Sequence, residues 1–252
     1  MWRLWPKDLP NLFGFSDCLI RFLNIIQLLS KMKITKYNQS CILIETNNKR
    51  ILIDPGNINY EDSLLANEWS NIDILLVTHK HSDHCHSDAI KEIIKNNKTK
   101  FYTTKEVSKT YPQLQPIIVK EGDTIEVDGI KIEVVKAVHG YIPLLKGEKE
   151  VNENVGYIVD DGKKRAYQTS DTICFKNSYK CDIIFVPVVN HGVVMGPWEA
   201  ALFAKETGAE LVIPFHYDNP GHPMDIESVK KEFTAQNLNF KFLKNKETIK
   251  IN

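Results

Sequence analysis

Four histidines and two aspartates are crowded into the eleven residues THKHSDHCHSD, at positions 78–88. They directly follow the mostly apolar run 72–77, which is typical of a buried strand. Burying so many imidazole and carboxylate groups is unfavourable unless something satisfies them. The segment therefore indicates a metal site or a catalytic proton relay, and the alternative is a solvated loop that happens to be rich in histidine.

Histidines and aspartates also fall where other predicted strands end. Six positions each close a different apolar run, namely Asp54, His79, His139, Asp171, His191 and His216. Strand ends in layered α/β folds meet at one edge, where binding sites are usually built. A single strand-end histidine is most often structural. Because the chain has only eight histidines, however, the repeated pattern favours one shared metal site.

The strands and helices that must position these residues are readable from turn and capping signals. Polar turns between apolar runs predict three hairpins, at Asn47–Asn48, Asp128–Gly129 and Asp161–Gly162. Helices are predicted from Ser87 or Asp88 to about Asn96, from Pro197 to Gly208, and after Asp225. Apolar runs over 239–243 and 248–252 are expected to be edge strands. In each half hairpins precede β-α units, which predicts two sheets packed face to face with helices outside.

The ordered motifs resemble those of a known family. HxHxDH over 79–84, followed by a lone histidine, a lone aspartate and a final histidine, is similar to the metallo-β-lactamase superfamily. The segment MGPWEAALFAKETGAELVIPFHYD resembles the branch of metal-dependent hydrolases that includes L-ascorbate-6-phosphate lactonase. This resemblance covers roughly residues 32–252, and it implies a four-layer αββα sandwich with a dinuclear metal centre at one edge.

The resemblance also implies a role for each site residue. The first ion would be bound by His79, His81 and His139, the second by Asp83, His84 and His216, with Asp171 bridging both. Asp54 would orient the histidine loop, and a metal-bridging hydroxide would be the nucleophile. Asp83 is expected to serve catalysis through the second ion. All these donors are nitrogen or oxygen atoms, so two Zn²⁺ ions are expected, with Mn²⁺ or Fe²⁺ as alternatives.

Three residues near these ligands are not assigned to either ion. His191 receives no metal role from the resemblance, and it could protonate a leaving oxygen, bind an anionic substrate group, or merely hydrogen-bond a carboxylate behind the ligands. His222 lies in a Pro/Gly loop near His216 and is a weaker substrate-side candidate. Cys85 is interpreted as a small packing residue.

The leading functional hypothesis is a dinuclear hydrolase that cleaves an ester, lactone or phosphoester of a small molecule. One alternative is a phosphodiesterase acting on nucleic acid or phospholipid, and another is a metal-binding protein without turnover. No basic stripe is present, so a nucleic-acid partner is not expected. All seven inferred ligands are present, which argues against a decayed site.

Composition bounds the remaining expectations. The 32 basic and 32 acidic residues cancel, and five cysteines form no CxxC pair, which favours a reducing cytoplasm. Residues 1–31 are expected to be an N-terminal extension, either an amphipathic helix or sequence upstream of a true start at Met32, and 32–252 to be the hydrolase domain. Asp17 and Arg21 interrupt the apolar residues of this N-terminal extension, so no membrane span is expected. The sequence does not determine the oligomeric state, and a homo-oligomer is one alternative.

Overall fold

The computed structural model describes residues 31–58, 60–95 and 98–251. Residues 1–30 of the predicted N-terminal extension lie outside these ranges. The described chain forms two mixed sheets. The first sheet has seven strands in the order β13-β1-β2-β3-β4-β5-β6, and the second has six in the order β12-β11-β10-β9-β8-β7.

The strands of the first sheet are β1 (Lys33–Lys36), β2 (Ile42–Thr46), β3 (Lys49–Ile53), β4 (Ile74–Leu76), β5 (Lys100–Thr103), β6 (Ile117–Ile118) and β13 (Glu247–Lys250). Those of the second are β7 (Thr124–Val127), β8 (Ile130–Lys136), β9 (Val155–Asp160), β10 (Arg165–Gln168), β11 (Ile183–Pro187) and β12 (Leu211–Phe215). The helices are α1 (Ser63–Ala66), α2 (Ser87–Ile94), α3 (Lys105–Thr110), α4 (Pro197–Thr207) and α5 (Ile226–Ala235), with short 3₁₀ turns at Pro112–Leu114 and Pro143–Leu145.

Alternating side chains on each strand supply two different cores. On β3, Ile51 and Ile53 pack between the sheets, whereas Leu52 packs outward beneath α2 and α3. On β11, Phe185 faces the inter-sheet core and Ile184 faces the core beneath α4 and α5. Strands buried on both faces must be apolar throughout, which explains the unbroken apolar runs in the sequence. The layers are helix, sheet, sheet and helix, which confirms the predicted αββα sandwich.

The three predicted hairpins are present as antiparallel pairs β2–β3, β7–β8 and β9–β10. Asn47 and Asn48 both have positive φ, 47° and 59°, as a two-residue turn of the primed type requires. β13 lies at the edge of the first sheet, as predicted, where it pairs with β1.

Some local predictions were wrong. The N-cap of α2 is His86 rather than Ser87 or Asp88. The segment 239–243, expected to be an edge strand, makes only an isolated bridge between Val212 and Phe240. The alternation of apolar residues indicates a strand, but the two phenylalanines of the segment instead pack against the core beneath α4 and α5. Among the described helices, none has the length and apolar character needed to cross a membrane.

Candidate metal centre

The strand ends converge as predicted, and two of the residues there have unusual backbone conformations. Asp54 directly follows β3 with φ 51°, and His216 directly follows β12 with φ 67°. Ser170, just before Asp171, has φ 65°. Left-handed backbone at residues other than glycine costs about 1–3 kcal/mol each, and it persists where the surrounding structure enforces it. The chain therefore accepts strain at three turns that place side chains in the site.

Seven side chains form two adjacent sets of donor atoms. We call His79, His81 and His139 the imidazole group, and Asp83, His84, Asp171 and His216 the carboxylate group. Within each set, one donor atom per residue lies within 4.8 Å of every other. The sets adjoin, because the ring centroids of His79 and His84 are 4.1 Å apart. All seven residues proposed from the sequence are thus brought together.

Hydrogen bonds orient each ring of the imidazole group. His139 donates from Nδ1 to the carbonyl of Gly140 at 2.8 Å, which leaves the lone pair on Nε2. His81 instead donates from Nε2 to the carbonyl of Lys149 at 2.7 Å, so its Nδ1 carries the lone pair. A carbonyl oxygen can only accept, and the partners therefore determine which nitrogen is protonated in each neutral ring.

Asp54 orients both sets at once. It is fully buried, and its carboxylate accepts from the backbone N–H of Thr78 at 2.8 Å, from Thr78 Oγ1 at 2.9 Å and from His84 Nδ1 at 2.9 Å. Because Thr78 Oγ1 donates to Asp54, it accepts from Nδ1 of His79, 3.1 Å away. Nε2 of both histidines is left for a ligand. Burial raises the pKa of Asp54, and the neighbouring His84 opposes that shift.

Asp171 is the charged centre of the carboxylate group. Its Oδ2 lies 3.0 Å from His216 Nε2 and its Oδ1 lies 3.2 Å from His84 Nε2. Burial disfavours the ionised carboxylate, but His216 and His84 hold the pKa of Asp171 well below its usual range. Reciprocally, burial would lower the pKa of each of these histidines, and Asp171 raises it instead.

Asp83 occupies the more open side of the carboxylate group. Its Oδ2 is 3.8 Å from His216 Nε2 and 3.9 Å from His84 Nε2. The same oxygen accepts from the side-chain amide of Gln39 at 2.8 Å. Gln39 is 1% exposed, and its backbone has φ 60°. Sequence reasoning missed Gln39, because it lies in a loop with no motif.

Other residues behind the ligands were also missed. Asn154 donates to the carbonyl of Asp171 at 2.6 Å, and the backbone of Ser170 donates to Gln168 Oε1 at 2.9 Å. Thr78 was missed too, although its place directly before His79 is a usable signal. A Cβ on Gly56 would lie 1.7 Å from the carbonyl oxygen of Asp83, so only glycine lets the β3–α1 loop press against the histidine loop.

Two residues beside the ligands do not face the donor sets. Cys85 is 1% exposed and packs in the core beneath α2 and α3, as predicted for a packing residue. Burial raises the pKa of its thiol, which disfavours the nucleophilic thiolate. His86 stacks edge-on against Tyr60, with ring centroids 4.3 Å apart.

His191 lies beside the carboxylate group rather than within it. Its ring centroid is 5.9 Å from that of His216, and its Nδ1 accepts from the backbone N–H of Val193 at 3.3 Å. Burial lowers the pKa of His191, and the neighbouring His216 and His222 lower it further. This ring is therefore neutral near pH 7, with its proton on Nε2.

The donor atoms fit metal ions. Among the described residues, twelve buried side-chain polar atoms have no hydrogen-bond partner, and five of them belong to the two donor sets: His79 Nε2, His84 Nε2, His139 Nε2, Asp171 Oδ1 and His216 Nδ1. Buried polar atoms without partners are costly, so five of them in one place indicate a ligand there. A cavity of about 380 Å³ opens beside the site, with His139 and Asn154 in its wall, and that volume suits a small molecule.

Comparisons with known proteins agree with this fold. A model of the Beta-lactamase superfamily domain matches residues 33–216, more than half of the chain. A UPF0173 metal-dependent hydrolase from Korarchaeum cryptofilum is 31% identical over 195 residues, which cover 74% of this chain and 83% of that protein. Another, from Geobacillus thermodenitrificans, is 31% identical over 198 residues, covering 74% and 86%.

Among solved structures, Igni18, described as a novel metallo hydrolase from Ignicoccus hospitalis, superposes with a TM-score of 0.71. It is 24% identical and covers 88% of this chain and 99% of its own, a likeness that shows the fold. Fold and family model together define a protein of the metallo-β-lactamase superfamily. Within it, the chain belongs to the UPF0173 family of metal-dependent hydrolases.

Proposed function

We propose that the protein is a dinuclear hydrolase that cleaves an ester, lactone or phosphoester bond of a small molecule. The observation that carries this proposal is the convergence of seven buried or half-buried donor side chains in two adjacent groups. One ion alone would leave one group unsatisfied, whereas two ions would satisfy both.

The proposed ligands are those inferred from the sequence. His79, His81 and His139 would bind one ion, Asp83, His84 and His216 the other, and Asp171 would lie between them. Nitrogen and oxygen donors without a thiolate suit Zn²⁺, with Mn²⁺ and Fe²⁺ as alternatives. When bound, two divalent ions lower the pKa of coordinated water and polarise the bond to be cleaved.

The protein's own residues keep this arrangement ready. Asp54 and Thr78 hold His79 and His84 in the tautomers that present Nε2. Asp171 and Asp83 supply negative charge that offsets the charge of the cations. His191 presents an Nε2–H donor beside the site, where it could protonate a leaving oxygen or bind an anionic group of the substrate.

The test is a screen of the purified protein after reconstitution with Zn²⁺, Mn²⁺ or Fe²⁺. The panel of test compounds contains lactones, among them L-ascorbate 6-phosphate, together with simple esters, phosphomonoesters and phosphodiesters. We expect hydrolysis in at least one class, with one oxygen from labelled water in the product and activity retained in Cys85→Ala. Metal binding without turnover on any class would favour the non-catalytic alternative, and a covalent enzyme intermediate would contradict the mechanism.

We also propose that residues 32–252 form the hydrolase domain and that residues 1–31 are dispensable for metal binding. β1 begins at Lys33, and Met32 is already 2% exposed in the core between the sheets. A chain beginning at Met32 should therefore be soluble and bind metal to the same stoichiometry. An insoluble or metal-free shortened chain would contradict this boundary.

A further inference from the structure

Three imidazoles form a file that leads from the carboxylate group to solvent. The ring centroid of His216 is 5.9 Å from that of His191, which in turn is 5.0 Å from that of His222. Exposure rises along the file, because His216 is buried, His191 is half-buried and His222 is exposed. The file therefore begins at a proposed metal ligand and ends at the surface.

The sheet places the two outer rings side by side. His191 lies in the loop after β11, and His222 lies in the loop after β12, its parallel neighbour. Gly192 has φ 78°, which lets the chain turn immediately after His191. The turn before His222 is held by Asn219, whose carbonyl accepts from the backbone N–H of His222 at 3.0 Å. Both histidines thus lie in turns beyond the same end of two parallel strands.

The pair suits an anion rather than a cation. His191 accepts a backbone N–H at Nδ1, so its Nε2–H is available as a donor. Within the part of the chain that the structure describes, no group of three or more His, Cys, Asp or Glu donors within 4.8 Å of one another includes His191 or His222. Two imidazole N–H groups on rings 5.0 Å apart can both donate to the oxygens of one carboxylate or phosphate.

We propose that His191 and His222 bind an anionic oxygen group of the substrate, at a position distinct from the bond being cleaved. This inference rests on the proposed function and narrows its substrate to a small molecule that carries a carboxylate or a phosphate. The imidazole pair anchors the charged end of the substrate while the reacting bond lies at the two donor groups. His191 is then a substrate-binding residue, and His222 sets the preference for negatively charged over uncharged substrates.

The first test compares two esters that differ in charge but scarcely in shape, mono-4-nitrophenyl glutarate and 4-nitrophenyl valerate. Both are assayed with the full chain loaded with zinc. The ratio of kcat/KM for the glutarate ester to that for the valerate ester is expected to fall about 10-fold in His222→Leu, the scale of a lost hydrogen bond to a charged group. His222→Gln keeps an N–H donor and should retain most of the ratio. An unchanged ratio in His222→Leu would overturn the proposal.

A binding measurement separates this proposal from the proposed function. Glutarate is titrated calorimetrically into the zinc-loaded protein, without any turnover. Binding that weakens about 10-fold in His222→Leu and survives in His222→Gln would support the anion site even if neither ester is hydrolysed. Equal glutarate binding by the three proteins would refute it even if both esters are hydrolysed.

A parallel titration with 3-phosphonopropionate distinguishes the two sources of the anion. Tighter, His222-dependent binding of the phosphonate would identify a phosphorylated substrate, and the reverse order a carboxylate. Zinc content is measured for every variant, because His191 contacts His216. For this reason His191→Leu is interpreted only together with His222→Leu. A third equivalent of zinc that disappears in His222→Leu would show a cation site and would also overturn the proposal.

Discussion

The imidazole group and the carboxylate group are adjacent, yet they differ in charge. The first contains three imidazoles, and the second contains two carboxylates with two imidazoles. Burial lowers the pKa of His79 and His139, so these rings are neutral and have free lone pairs near pH 7. In the carboxylate group, burial acts in the same direction, but Asp171 raises the pKa of His84 and His216.

If two ions bind as proposed, this difference predicts that their binding depends unequally on pH. In the absence of metal, the raised pKa values of His84 and His216 favour protonated rings beside the carboxylates, so protons compete with a cation there. In the imidazole group there are few protons to displace. Metal affinity should therefore depend on pH at the carboxylate group far more than at the imidazole group.

The largest expected effect comes from Asp171→Ala, which removes the negative charge at the centre of the carboxylate group. We expect the second ion to be lost, the first to be weakened, and turnover to fall by about 10³-fold or more, as the metal contribution of several kcal/mol implies. Elemental analysis and steady-state rates measure both. If the protein binds one ion tightly, and no other, both before and after the substitution, the dinuclear assignment is contradicted.

The next largest effect is expected from Asp54→Asn, since this carboxylate serves both groups. It bonds His84 directly and His79 through Thr78, so the substitution should weaken both ions, by about 10–100-fold in affinity. Competition with a chromophoric chelator gives the two affinities. Asp88→Asn, the same change at an exposed position on α2, is the control. If only one ion binds more weakly, the proposed connection from Asp54 to His79 through Thr78 is contradicted.

A pH titration sharpens the comparison further. Because the pKa values of His84 and His216 are raised above the ordinary 6.5, proton competition extends to higher pH at the carboxylate group. Lowering the pH from about 8.5 to 5.5 should therefore release the ion of that group first. Equilibrium dialysis with Co²⁺ would follow the two steps. Simultaneous release of both ions would contradict the assigned difference.

The metal-free protein should show the opposite trend in stability over part of this range. The raised pKa values of His84 and His216 contribute stability that is fully present below 6.5 and is lost as the pH rises through the raised values. After chelation, Tm should therefore fall as the pH increases above about 6.5, whereas the metal-loaded protein should not lose stability there. Thermal denaturation with and without chelator measures this, and parallel curves would argue against it.

The smallest effect is expected from Thr78→Val, which removes a hydroxyl and leaves the Asp54–His84 bond in place. His79 loses its orienting partner, whereas His84 keeps its 2.9 Å bond to Asp54 and loses only a 3.5 Å contact with the hydroxyl. The ion of the imidazole group should therefore weaken by about 10-fold. Thr78→Ser retains the hydroxyl and should behave like the unchanged protein. If Thr78→Val weakens the carboxylate group equally, the two groups are not separately oriented.

Much of the fold could be predicted because its signals are local. Apolar runs bounded by Asn47–Asn48 or Asp128–Gly129 turns indicate hairpins whatever lies elsewhere in the chain. The HxHxDH motif and the strand-end residues predicted the seven side chains that the structure brings together. Their roles as ligands, and the resemblance to L-ascorbate-6-phosphate lactonase, stay predictions.

What could not be predicted depends on contacts between distant parts of the chain. Gln39 reaches Asp83 across the site, and Asn154 supports the turn at Asp171, but neither residue belongs to a periodic pattern or a motif. The segment 239–243 has strand-like residues, yet its neighbours leave it a single bridge. Such outcomes are decided by packing partners, which local propensity does not contain.

The pairing of β1 with β13 has a consequence for how the molecule is made. Thr35 and Thr248, which hydrogen-bond through their hydroxyls at 2.7 Å, are 213 positions apart. The chain emerges from the ribosome N-terminus first, so β1 has no outer neighbour until residues 247–250 have been made. His216 and its turn also emerge late, after the histidine loop has been available for more than a hundred residues. The nascent chain thus carries an unfinished edge and a partial set of metal donors, and folding dominated by such distant pairings is slow.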